Sequence, residues 1–187
     1  MRKLIVTEFV SLDGVMEAPG GEPGYAHSGW VAPHFTPELA AHKLAEQLAA
    51  DVLLLGRRTY ESFAGAWPQR EGPMADKINT MTKVVASTTL ESADWHDSTV
   101  IASDVPGAVA ALKDGDGGPV LVAGSRSLVH GLLEAGLVDE LNLQVFPVVL
   151  GSGARLYPET AEPLALELLS SEPLPNGVLV QTYRVGS

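Results

Sequence analysis

Apolar and polar positions along the chain alternate in short blocks whose period switches between strand and helix. RKLIVTEFV (2–10) reads as a strand, followed by a loop over 11–35 rich in Gly and Pro. Thr36 then caps a helix with Pro37 at its first position and Glu38 in its first turn, running to about Ala50 with an apolar stripe that includes Ala40, Leu44 and Leu48. The pattern next predicts a strand over 51–55, a helix from about 58 to 64, a short helix near 73–80, a strand over 83–87 and a short strand near 98–102. Asp104 opens a further helix in DVPGAVAALK, closed by GDGG, and strand 119–123, helix 126–135 and strand 139–149 follow. The tail, LALELLSSEPLPNGVLVQTYRV, reads as two strands joined around Pro175-Asn176-Gly177. This order predicts one α/β domain over 1–187. Its sheet is mixed and mostly parallel, with helices on both faces and an antiparallel hairpin at the C-terminal end.

Two of the predicted strand-to-helix turns share a design. DVLLLGRRTYESF leaves its strand at Gly56 and enters a helix through Arg57, Arg58 and Thr59; PVLVAGSRSLVHGLL leaves at Gly124 and passes through Ser125, Arg126, Ser127 and Leu128. Neither is a Walker loop or a glycine-rich Rossmann fingerprint. Any βα unit uses a small residue and a capping hydroxyl here, and that reading stands beside a functional one. A helix N-terminus at the carboxyl end of a parallel strand offers free N–H groups to a phosphate. Two such turns suit a ligand with two separated phosphate groups, a dinucleotide. NAD calls for a carboxylate on the adenosine ribose, whereas this chain supplies Arg57 and Arg58 after one strand and Ser87, Thr88 and Thr89 after the next. Guanidinium forks and hydroxyls match a 2′-phosphate, so NADP is expected over NAD.

Composition narrows the alternatives. A formal net charge of −11 with only 12 Lys and Arg argues against a nucleic-acid partner and requires any phosphate site to be built locally. With no cysteine, disulfides and thiolate zinc sites are excluded, which fits a cytoplasmic protein. No long apolar run spans a membrane, and Thr7 and Glu8 interrupt the opening run too early for a signal peptide. There is no GxSxG elbow, and the five histidines show no metal-binding spacing, so no metal is expected. GSGARL (151–156) begins like a nucleotide loop but lacks the third glycine and reads as an ordinary loop. Two carboxylates are candidates for the chemistry: Asp13, just beyond the first strand, and Glu38 as a proton relay, although the first also suits an Asp-Gly turn and the second a helix dipole. His34 and His42 flank the first helix start and could face a cleft. Trp30, Tyr60, Phe63 and Trp67 either wall a pocket or fill the core.

SLDGVME (11–17), ADVLLLGRRTYES (50–62), KVVASTTL (83–90), the long stretch 120–156 and NGVLVQTYR (176–184) together resemble the dihydrofolate reductase superfamily. They are most similar to the branch containing the reductase domain of the riboflavin-biosynthesis deaminase–reductase. The resemblance implies a sheet of eight or nine strands, NADPH as hydride donor and often a two-fold homodimer; the apolar strand 143–150 either supplies a dimer face or is buried within one subunit. It implies that Gly56, Arg57, Arg58 and Thr59 hold the 2′-phosphate and pyrophosphate, with Ser87 and Thr88 beside the adenine ribose. Gly124, Ser125, Arg126, Ser127 and Leu128 would cradle the pyrophosphate from the other side, with Ser11–Val15 lining the nicotinamide pocket. Two positions depart from that branch: Thr7 stands where it tends to carry a lysine, and Ala123-Gly124-Ser125 where it shows Glu-Gly-Gly. The expected activity is therefore an NADPH-dependent reductase of a small pterin- or pyrimidine-like heterocycle or a carbonyl compound, with selectivity in 14–36 and 66–74. The alternatives are an NADP(H)-binding protein without turnover, acting as sensor or interaction partner, and a flavin-binding oxidoreductase.

Overall fold

A computed structural model describes residues 1–157, 159 and 163–186. Eight strands form one sheet in the order β4-β3-β2-β5-β1-β6-β8-β7. β1 (Leu4–Ser11), β2 (Val52–Gly56), β3 (Thr82–Ala86), β4 (Ser98–Ile101), β5 (Val120–Val122) and β6 (Glu140–Phe146) pair in parallel. β7 (Leu166–Pro173) and β8 (Leu179–Val185) add on antiparallel beyond β6. The central strands are apolar runs because both their faces are covered. The hairpin turns where Asn176-Gly177 requires it, with Gly177 at φ +85° and its N–H donating to the Leu174 carbonyl at 2.9 Å.

Five helices cover the sheet: α1 (Pro37–Ala49), α2 (Arg57–Ala66), α3 (Pro73–Thr80), α4 (Val105–Asp114) and α5 (Arg126–Glu134). Leu53 and Leu55 of β2 pack with Tyr60 of α2 and Ile78 of α3 on one face. Val52 and Leu54 turn to the other face, against Val109 of α4 and Leu128, Val129 and Leu132 of α5. Crossovers that step outward toward β4 and those that step back thus lie on opposite faces, as right-handed connections demand. A third cluster, Trp30, Val31, Leu39, Phe146 and Val178, closes the end where the 11–35 segment folds back. No helix among the described residues is long and apolar enough to cross a membrane.

Two sequence expectations need correction. The strand read over 139–149 stops at Phe146, where Pro147 has no N–H to continue the ladder. Of the apolar run 143–150, residues 143–146 therefore lie inside the sheet between β1 and β8, while 147–150 lie beyond the strand, with Val149 66% exposed. The second correction concerns α1. The stripe Ala40, Leu44, Leu48 does not face inward: Leu48 is 61% exposed, and the helix buries Leu39, Lys43 and Gln47 instead. The sheet under α1 offers Thr7 and Gln144, whose polar groups draw the lysine inward.

Candidate functional site

β2 and β5 are neighbours whose exits diverge, β2 leading through α2 to β3 and β5 through α5 to β6 on the other side. Such a switch point leaves a crevice beyond the carboxyl ends of the strands, and both glycine turns open on it. They touch. The Gly56 N–H donates to the Gly124 carbonyl at 3.1 Å. A Cβ on Gly56 would overlap the Ser125 hydroxyl and lie 2.9 Å from Ser125 Cβ. Gly124 sits at φ +74°, where a Cβ would come within 2.9 Å of Thr59 Oγ1, and its peptide to Ser125 is cis. Both positions accept only glycine if the turns are to meet.

Neither helix tip at this crevice is capped by a side chain, whereas α1 and α4 are closed by Thr36 and Asp104. Ser125 Oγ lies instead 3.2 Å from Ser127 Oγ. The first N–H groups of α2 and α5, which have no intrahelical acceptor, are therefore open to an anion. The Leu128 side chain is buried in the core beneath α5, so only its main chain belongs to the turn. Arg58 and Arg126 are exposed and make no ion pair among the described residues, while Arg57 is engaged by Glu61 at 2.9 Å. Gly56 is in register with Ala86, which brings Ser87 and Thr88 alongside the same turn. Ser87 Oγ accepts from the Thr89 and Leu90 N–H groups at 3.2 and 2.9 Å, and Thr88 is exposed. Beyond α5, Arg126 and His130 face Arg155, Tyr157 and Glu159 across an open depression of about 400 Å³. This depression adjoins the loop after β6. That loop, GSGARL, is tied to the first loop by a bridge between Val15 and Arg155.

The two candidate catalytic carboxylates are engaged elsewhere in the main chain. Asp13 accepts from Ser11 Oγ at 2.7 Å and from the Leu150 and Gly151 N–H groups at 3.1 and 2.8 Å. The Ser11 hydroxyl first, then these N–H groups, hold its carboxyl down at about 2. Asp13 is thus an ionised clamp between two loops, with no proton to give at neutral pH. Glu38 is fully exposed, and its own N–H and the Thr36 hydroxyl hold its carboxyl below the usual range, a capping role. His42 lies 3.5 Å from Glu46 and His34 edge-on to Phe146; Trp30 and Tyr60 are buried in the core.

A buried polar cluster occupies the space between α1 and the sheet, and the sequence reading missed it. Lys43 Nζ bonds Thr7 Oγ1 and Glu46 Oε2, the latter at 2.5 Å, and reaches Gln144 Oε1 at 3.4 Å. Burial pushes the Glu46 carboxyl up, but the Lys43 ammonium and the His42 and Lys43 hydrogen bonds outweigh it and hold the group at about 2. Glu8, one residue beyond Thr7, shows the reverse: burial raises its carboxyl to about 8 against the pull of Lys43 and the Gly124 N–H. Among the described residues Glu8 Oε1 makes no hydrogen bond of good geometry, the Gly124 main chain being the polar group nearest its carboxyl, and it lies 3.7 Å from where a Cβ on Gly124 would be. An ammonium thus reaches Thr7 from α1, and a carboxyl stands beside Gly124 from β1. The same two kinds of group that the departures at Thr7 and Ala123 remove return from neighbouring positions. A signal for Glu8 was present: Leu4, Val6 and Val10 mark one buried face of β1, and Glu8 interrupts it.

The eight-stranded sheet with its antiparallel C-terminal hairpin has the dihydrofolate-reductase-like fold. Within it the chain belongs to the RibD C-terminal domain family, whose family model matches residues 2–180. It is 26% identical to the Bacillus subtilis (strain 168) uncharacterized protein YyaP, over 97% of this chain and 94% of that one. To YwjB of the same organism, also uncharacterized, it is 31% identical over 72% and 73%. Among solved structures it superimposes on a protein ascribed to riboflavin biosynthesis from Shewanella sp. PV-4 (TM-score 0.77, 20% identity, 99% of each chain). It also matches a pyrimidine reductase-like protein of Corynebacterium diphtheriae (TM-score 0.67, 15% identity, 99% and 92%). Dihydrofolate reductase from Enterococcus faecalis, complexed with NADP(H) and RAB-propyl, superimposes at a TM-score of 0.64 with 17% identity, over 99% and 97%.

Proposed function

We propose that this chain is an NADPH-dependent reductase of a small pterin- or pyrimidine-like heterocycle or carbonyl compound, with the cofactor gripped by the α2 and α5 tips. The observation that carries this reading is the direct contact of the Gly56 and Gly124 turns at the switch point. The residues fit such a group: two uncapped helix ends meet negative charge, and the glycines leave room for main chain to approach a phosphate. Arg58, which pairs with no carboxylate among the described residues, and Arg57, which has to exchange Glu61 for a better anion, suit a 2′-phosphate. Bound there, a nicotinamide dinucleotide supplies hydride. The chain's part is to hold it, to exclude water and to place a proton near the acceptor.

Titration of NADPH and NADH by fluorescence or calorimetry tests this directly. The wild type is expected to prefer NADPH, and Arg58→Ala to weaken NADPH by about 10- to 100-fold while leaving NADH nearly unchanged. Equal affinities for the two cofactors in the wild type would remove the arginines from the site. The second reading is a protein that binds NADP(H) without turnover. What favours it is that Asp13 and Glu38, the carboxylates expected to handle the proton, are committed to other roles. NADPH oxidation across pterins, pyrimidine-diones, quinones and nitroaromatics separates the two, since tight binding with no oxidation of any acceptor selects the second.

A further inference from the structure

β3 and β4 pair in parallel, and parallel neighbours are ordinarily joined by a helix that covers their sheet. Residues 87–97, which join these two, carry no helix. Between them and α2 lies an open groove of about 550 Å³, whose lining includes Tyr60, Glu61, Leu90, Asp94, Trp95 and His96. None of the residues assigned to the cofactor lines it. Its aromatic wall is fixed before anything binds. Tyr60 Oη accepts from the Trp95 main-chain N–H at 3.0 Å, and the Trp95 indole N–H donates to Asn79 Oδ1 at 3.1 Å. Lys83 lies beneath Trp95, its Nζ 4.4 Å from the ring centroid and donating to the Asn79, Met81 and His96 carbonyls. It is wholly buried and takes no part in the lining.

The groove thus presents two carboxylates, Glu61 and Asp94, and no lysine or arginine. Aromatic faces attract a cation, carboxylates neutralise it, and the overall charge of −11 draws cations to the surface. Glu61 has a second role. Arg57 stands at the first position of α2, where the helix dipole disfavours a cation, and its Nη1 donates to Glu61 Oε1 and Oε2 at 2.9 and 3.1 Å. One carboxylate therefore lines the groove and restrains a cofactor arginine. We propose that this groove is a second binding site, for a flat organic cation such as a protonated aromatic amine or amidine, and that its occupation favours NADPH by drawing Glu61 from Arg57. The cation site stands by itself, whereas the coupling rests on the cofactor reading above. Such coupling is reciprocal, so NADPH in turn tightens the cation. Both side chains of the pair are partly exposed, at 41% and 48%, so the exchange is worth a factor of about two to five.

The probes are benzamidinium, benzamide and benzoate, three flat molecules of nearly one shape that carry positive, no and negative charge. In NMR without cofactor, the Trp95 indole N–H should shift saturably with benzamidinium and stay in place with the other two at equal concentration. NADPH affinity, measured by calorimetry at matched chloride, should rise about two- to fivefold under saturating benzamidinium and stay level under benzamide. Glu61→Gln should by itself raise NADPH affinity by a similar factor, weaken benzamidinium and abolish the coupling. Equal shifts of Trp95 with benzamide, or none with benzamidinium, overturn the site. A wild type whose NADPH affinity ignores benzamidinium, or a Glu61→Gln protein whose affinity still responds, overturns the coupling. A wild type that binds NADPH and NADH equally overturns the cofactor reading instead, and Trp95 still reports on the groove.

Discussion

Two buried glutamates, Glu8 and Glu46, sit on either side of one lysine and titrate in opposite directions. Glu8 holds its proton to about 8 in place of the ordinary 4.5, so the folded state binds that proton more tightly than the unfolded chain. Its contribution to stability therefore declines as pH rises from about 4.5 to about 8 and is level beyond. Glu46 is held at about 2, so the stability it contributes is present above about 4.5 and is lost as pH falls toward 2. Together they place the stability maximum near pH 5, with a decline toward pH 8 on the order of a few kcal/mol. Thermal melts from pH 4 to 9 check this: Glu8→Gln should flatten the alkaline decline, and an unchanged slope in that variant would assign the loss to other groups. The two residues also mark what was legible in the sequence. Gly56, Arg58, Gly124 and Arg126 stood out because a glycine between a parallel strand and a helix, followed by a cation, has a stated physical use at a phosphate. Glu8 did not, although it shares the alternation of Leu4, Val6 and Val10, because a carboxylate in an apolar strand is ordinarily assigned to the solvent side.

At the scale of the element, α1 runs against expectation. Its leucines turn partly outward and its lysine turns in, because Thr7, Glu46 and Gln144 together satisfy the ammonium better than bulk packing would reward Leu48. A helical stripe read from apolar residues alone fails when the opposite surface is polar. The strands were legible for the converse reason: LLL in β2 and VLV in β5 are covered on both faces and leave no doubt about which side is in. Removing one partner of the buried pair is the informative change. Lys43→Met should cost about 3–5 kcal/mol and lower Tm by roughly 10 °C, since it strands the Glu46 carboxylate. Adding Glu46→Leu should recover most of that loss. A silent single variant would mean that water reaches the pair and screens it.

On the scale of the molecule, strand order makes the site. The sequence announced two separate turns sixty-eight residues apart, Gly56 and Gly124, but not that β5 would insert between β2 and β1 and bring them into contact. Parallel pairing is decided by which crossovers can pack, and that information is spread over the whole chain. The acidic balance of −11 then confines attraction for an anion to the few places where arginines and helix ends gather. Amide NMR during a titration with NADP tests this convergence most directly. Resonances of Gly56 and Arg58 at one tip, and of Gly124 and Ser127 at the other, should shift along one curve with a single midpoint. Movement at one tip alone, or two unrelated midpoints, would contradict the account.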